Sequence, residues 1–143
     1  MKALSVTRPW PALLLELGKD VENRTWPTRH RGPLWIHAAR SWDRHAIGWA
    51  EQRGLIPAGV VSPDPAEHPT GVVGVVDLDA VVRDHPSPWA TPDQWHWHLT
   101  NPRTLATAVP CRGRLGLWTV PGDIADRVNA IRLVPPAQPG RTA

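Results

Sequence analysis

The chain reads as a single α+β domain with a curved or closed sheet. Three observations predict it. Five or more stretches carry strand composition or alternation, two or three short helical stretches fall among them, and the two kinds do not alternate as strict βαβ units. At 143 residues and 15.8 kDa the chain suits one compact domain with one core. Residues 1–132 are expected to form it, and 133–143 a mobile tail.

Lys2 to Val6 reads as the first strand. Thr7 then suits an N-cap, with Pro9 or Pro11 in the first helical turn, where a missing N–H costs nothing. Leu13, Leu14, Leu15 and Leu17 give this helix its apolar face, and Gly18 stops it. Lys19 follows at the partly negative helix end, which favours a cation.

Next comes the most charged stretch of the chain, Gly18-Lys19-Asp20-Val21-Glu22-Asn23-Arg24-Thr25-Trp26. Read as extended, period-two alternation puts Glu22, Arg24 and Trp26 on one face and Val21, Asn23 and Thr25 on the other. A carboxylate, a fork of donors and a flat ring then point the same way. Gly18 can relax the backbone so that Lys19 bends round to join them. The bland alternative is a solvated edge on which Glu22 and Arg24 neutralise each other.

Pro27 to Pro33 is a loop in which Arg29, His30 and Arg31 suit an exposed turn and a phosphate clamp equally. Leu34 to Ala39 is a strand, with His37 in an apolar setting that favours a hydrogen-bonded core histidine. Ser41 is a candidate cap for a helix over Trp42 to Arg53. Residues 54–70 form a connection rich in Pro and Gly, and Gly71 to Val82 is a valine-rich strand expected to bend at Gly74. Asp77 and Asp79 share a face there, but with no third ligand a solvated edge is the better reading. Gln94 to Leu99 is a strand with Trp95 and Trp97 on one face and His96 and His98 on the other. Two histidines and Cys111 without paired spacing fall short of a structural zinc site. Thr104 to Val109 and Gly113 to Val120 add strands, and a last helix runs from about Pro121 to Ile131.

Composition narrows the function. The net charge is +3 and the pI about 10.0, with 14 of the 16 basic residues arginine, which suits an anionic partner. The lone Cys111 allows no internal disulfide and points to a reducing, cytoplasmic setting. No apolar run is long enough for a membrane span, and Met1-Lys2 leads straight into patterned sequence rather than a signal peptide. Nine tryptophans supply every aromatic ring apart from the histidines, so most are expected in the core. Trp10, Trp26 and Trp97, set among polar groups, are the candidates for stacking on a base. A phosphate-cradling glycine loop, a GxSxG elbow and an H-E-x-x-H pair are all missing from the sequence.

One ordered set of motifs carries a resemblance. Leu4-Ser5 with Pro9-Trp10, then Lys19-x-x-Glu22-Asn23-Arg24-Thr25-Trp26, then Arg31-Gly32-Pro33-Leu34-x-Ile36-His37-Ala38, and Arg112-Gly113-x-Leu115-Gly116-Leu117-Trp118, resembles the ASCH domain family over roughly residues 2 to 120. The resemblance implies a PUA-like mixed β-barrel of five to six strands with two or three peripheral helices, and a cleft at one end for a nucleobase, nucleoside or RNA strand. By their own chemistry Lys19 and Glu22 are the candidate catalytic residues, either with Lys19 as the base for water and Glu22 orienting it, or with Glu22 taking the proton while Lys19 and Arg24 hold the anion. Ser5, Arg8, Trp10, Arg24, Trp26 and His37 are the candidate ligand contacts. Two departures stand out: Gly18 abuts Lys19 without a spacer, and Arg8 occupies a position that is often Gln. Some members resemble amidohydrolases acting on acetylated cytidine, and others ribonucleases. Lys19 matches the amidohydrolases' Lys, whereas Glu22 stands where they carry Thr. The expectation is an RNA or nucleoside binder with a hydrolytic site, or alternatively a non-catalytic reader of RNA or a modified base. It needs no cofactor or metal, does not associate with membranes, and is a monomer or weak dimer.

Overall fold

A computed structural model describes residues 1–137. The first strand, β1 (Lys2–Arg8), leads into α1 (Trp10–Glu16), β2 (Val21–Arg24) and β3 (Gly32–Trp42). Then come α2 (Ala46–Gln52), a 3-10 turn at Pro65–Glu67, β4 (Gly71–Val82) and β5 (Trp95–Val109). The chain closes with β6 (Leu117–Thr119), α3 (Gly122–Asn129) and β7 (Leu133–Val134).

The strands pair in the order β2-β5-β4-β3-β1-β6, with β7 on β5. β1 and β3 are parallel and the other pairs antiparallel, so the sheet is mixed. The α+β class and the three helices match the sequence reading, but the barrel does not. Among the described residues no ladder joins β6 to β2, and the sheet stays open with seven strands rather than five or six. Its two end strands hold only four and three residues.

Alternation along the central strands sends side chains to two cores. Leu4, Val6, Leu34 and Ile36 join Leu14 and Leu15 of α1 on one face. Ala3, Trp35, Val72 and Val75 join Trp118 and Val128 of α3 on the other. A third cluster lies under α2, built from Leu13, Val21, Ala50, Ile56 and Trp89.

The bend expected at Gly74 is a double irregularity, because the register of β4 shifts there against both β3 and β5. Glycine is required at this point: a Cβ would lie 2.6 Å from the Arg103 carbonyl oxygen and 2.7 Å from Leu15 Cδ1. Its absence lets α1 press onto the sheet.

Several boundaries move for identifiable reasons. Trp95 to Val109 is one strand rather than two, since Asn101 takes a φ of 50° and Asn101-Pro102 together face a single residue of β4 between Thr100 and Arg103. A bulge accommodates the proline that looked like a break. Ser41 and Trp42 continue β3, and Ser41 Oγ meets Thr7 Oγ1 at 3.0 Å instead of capping a helix. Asp43 takes over the turn before α2, accepting the His45 N–H at 2.9 Å. Leu133 and Val134, expected in the tail, pair with Leu105 and Thr104. The rest of that expected tail, from 138 to 143, lies outside the described residues.

Candidate functional site

Gly18, with a φ of 80°, turns the chain at the end of α1 and lets the Lys19 N–H donate back to the Leu13 carbonyl at 3.0 Å. That reversal brings the Lys19 side chain alongside the strand it precedes. The residue is 4% exposed, and its ammonium donates to the Val21 carbonyl at 2.5 Å and to Glu22 Oε1 at 3.0 Å. Arg24 reaches Glu22 Oε2 from the other side at 3.4 Å. One carboxylate thus lies between two cations. The ammonium also stands 5.1 Å from the centre of the Trp10 ring. An ammonium has three N–H donors, so one remains beyond the two protein partners.

These groups face a hollow of about 580 Å³. Trp10, Trp42, Trp49 and Trp89 line it, with Trp10 edge-on to Trp49 at 5.9 Å and Trp49 tilted against Trp89 at 6.0 Å. Asp43 accepts the Trp10 indole N–H at 3.1 Å, which fixes the ring beside the lysine. Asn23, on the opposite face of β2, and Asp20, just before it, hold the far wall. Asn23 donates to the Trp89 carbonyl at 3.0 Å and accepts the Thr91 N–H at 2.9 Å, while Ser87 donates to Asp20 at 2.5 Å. Flat rings, spare donors on Lys19 and Arg24 and the carboxylates of Glu22 and Asp43 suit a planar heterocycle with polar edges.

The residues singled out from sequence divide into three groups. Lys19, Glu22, Arg24 and Trp10 converge on this hollow. Ser5 and His37 sit at the floor of a second hollow of about 920 Å³, where Trp118 donates its indole N–H to Ser5 at 3.2 Å. His37 Nε2 donates to the Cys111 carbonyl at 2.9 Å, which makes Nδ1 of the neutral ring an acceptor. Nδ1 is buried and has no partner among the described residues. Such an orphan costs about 1–3 kcal/mol.

The third group lines neither hollow. Arg8 commits four N–H donors to the carbonyls of Ala39, Arg40, Pro65 and His68, tying β1 to the connection before β4. Trp26 stands edge-on to Trp97 at 4.9 Å with Arg24 over its ring at 5.6 Å, outside the hollow's lining. Trp97 is wholly buried in the α1 core, so its polar neighbours in sequence mislead.

Sequence reasoning passes over Trp49, Trp89, Asn23 and Asp43. Trp49 looks like an ordinary apolar helix position and Trp89 like a loop residue. The pairing of Asn23 with residues 66 and 68 positions later has no local signature.

Cys111 lines the second hollow, and burial raises its thiol above the ordinary 9.0, partly offset by the hydrogen bond to Val72 and by Arg127. The described residues hold no group of three or more His, Cys, Asp or Glu able to hold a metal ion. None of their helices is long and apolar enough to cross a membrane.

Comparison with known proteins gives a family and two relatives. The ASCH domain model matches residues 4–108. Activating signal cointegrator 1 of Homo sapiens is 28% identical over 130 residues, covering 85% of this chain and 22% of the relative. The Mus musculus protein of the same name is 27% identical over the same shares. The chain therefore spans less than a quarter of the length of these curated relatives.

Proposed function

Since this chain belongs to the ASCH domain family, we propose that it binds RNA or a nucleoside by seating one base in the tryptophan-lined hollow. The supporting observation is the meeting of Lys19, Glu22, Arg24 and Trp10 on one open concavity. Stacking on indole favours any base, and the remaining Lys19 and Arg24 donors with the carboxylates read its edge. Lys19 and Glu22 are held by buried partners, so their positions are set before a ligand arrives.

A second reading adds hydrolysis, favoured by the ammonium and carboxylate 3.0 Å apart at the wall of the hollow. Glu22 takes a proton from water as the oxygen adds to an acyl carbon or a phosphorus. Lys19 and Arg24 hold the negative charge that develops, and the leaving group departs with the proton that Glu22 returns. With Glu22 at the position of the amidohydrolases' Thr, no covalent acyl intermediate on this residue is invoked.

The test is tryptophan quenching by cytidine and N4-acetylcytidine, with product scored for acetylcytidine and for single-stranded RNA. Wild type quenches saturably, and Trp10→Ala weakens binding at least tenfold. Any turnover is lost in Lys19→Ala, with the fold checked by circular dichroism. No saturable binding of either nucleoside or of RNA refutes the proposal. Binding without product leaves the non-catalytic reader.

A further inference from the structure

The two hollows adjoin. Ser5 and Thr7 lie on the same face of β1, about 6.6 Å apart along the strand. Ser5 opens into the second hollow and Thr7 into the tryptophan hollow, with the Thr7–Ser41 hydroxyl contact beside them. Their charges differ in kind. Around the tryptophan hollow Lys19 and Arg24 are balanced by Glu22 and Asp43. The second hollow carries Arg40, Arg112 and Arg114 and no carboxylate. All three arginines are exposed, and among the described residues none of their guanidiniums makes a hydrogen bond or an ion pair. A balanced, ring-lined hollow suits a neutral base, and an unbalanced cationic one suits an anion.

The loop between β5 and β6 is shaped to hold those charges there. At Gly113 a Cβ would stand 2.6 Å from Ser5 Oγ and 2.7 Å from His37 Nδ1, so only glycine lets the loop settle on this floor. Arg112 and Arg114 flank that contact point. The His37 Nδ1 lies beneath it, buried under the loop.

Building on the base-binding reading, we infer that the ligand is a single-stranded polynucleotide rather than a free nucleoside. One base occupies the tryptophan hollow and the neighbouring phosphodiester lies on Arg40, Arg112 and Arg114. The arginines supply the charge-assisted donors a phosphodiester takes. The strand runs past Ser5 and Thr7 from one hollow to the other.

The test uses the full chain, a fluorescein-labelled octauridylate and its deoxy counterpart, read by anisotropy across a salt series, with cytidine binding followed by tryptophan quenching. The variant is Arg112→Gln/Arg114→Gln. Both side chains are exposed and unpartnered among the described residues, so the melting temperature stays put. Losing the neutralisation of that one phosphate lowers the salt slope by about 0.7 and weakens octamer binding about 5-fold at 0.1 M salt, while cytidine binding is unchanged. Arg40→Gln, from a different strand, shifts octamer binding in the same direction. Equal losses for the two octamers assign the contact to phosphate, and a larger loss for the ribo-octamer adds the ribose hydroxyl. Unchanged octamer binding in the double variant overturns the inference, as does displacement of the octamer by equimolar cytidine or by a polyglutamate peptide. If wild type ignores cytidine but the double variant still loses the octamer, the phosphodiester contact stands and the base-binding reading falls.

Discussion

Replacing Glu22 by Gln removes the anion between two cations while keeping the side chain's shape. At 3.0 Å and 3.4 Å, its attractions to Lys19 and Arg24 are about 5.5 and 4.9 kcal/mol at an effective dielectric of 20. Much of that is offset by the desolvation of groups as buried as Lys19 and Glu22. Breaking such a pair from one side costs about 3–5 kcal/mol, because the remaining charge is stranded. The Gln carbonyl can still accept from Lys19, so the low end, about 3 kcal/mol, is expected. For a domain of this size that lowers Tm by about 12 °C. Lys19→Ala is milder, about 2 kcal/mol, since Glu22 keeps Arg24 while the Val21 carbonyl and Glu22 Oε1 lose a donor. Adding Lys19→Ala to Glu22→Gln should therefore recover part of the lost stability. Urea denaturation of the three variants measures these differences. Equal losses in the two single variants, or a double variant weaker than Glu22→Gln alone, would refute the account of a carboxylate holding two cations in place.

Asn23→Ala leaves the Trp89 carbonyl and the Thr91 N–H without partners, at a cost of about 2 kcal/mol. Hydrogen exchange at Thr91 should accelerate, and unchanged protection there would show that other contacts hold the wall. Gly74→Ala drives a methyl into the Arg103 carbonyl and Leu15, and should lower stability by about 2–3 kcal/mol. A melt within 2 °C of wild type, roughly 0.5 kcal/mol, would mean that the bulge relaxes freely. Cys111 gives a pH dependence of known sign. Its folded thiol titrates above the unfolded one, so its contribution is fully present below pH 9.0 and is lost as pH rises through the folded value. With no tyrosine and only two lysines in the chain, few other groups titrate in that range. Stability of wild type relative to Cys111→Ser should fall above pH 9.0, and parallel curves would contradict the burial of the thiol.

Local patterns carry much of the fold. The leucines of α1, the stop at Gly18 and the valine run of β4 are visible because each obeys a short-range period or a backbone constraint. The strand that crosses Asn101-Pro102 is not, since a bulge is decided by the partner strand rather than by the two residues themselves. The open sheet is likewise invisible, because closure depends on the tilt and coiling of the whole sheet rather than on any one stretch. At the site, Lys19, Glu22 and Arg24 are legible as alternation plus a glycine hinge. The partners of Arg8 are not legible, because only the fold delivers four carbonyls to it.

The same contrast explains how the hollow is built. Its charged side comes from six consecutive residues and is specified locally, whereas its aromatic side is gathered from α1, the end of β3, α2 and the loop before β5. Asn23 and Asp20 couple the two sides, because they lie within the charged stretch and both hold the Trp89 loop, Asn23 from the other face of β2 and Asp20 from the turn before it. Alternation in this one stretch therefore does two jobs: Glu22 and Arg24 present charge to the hollow, while Asn23 between them fixes the wall that the charge faces. A one-residue slip of β2 against β5 would exchange these faces and remove both the charge and the wall. That slip is costly for a second reason: it would carry the Trp26 carbonyl away from the buried Trp97 indole N–H, which donates to it at 3.2 Å.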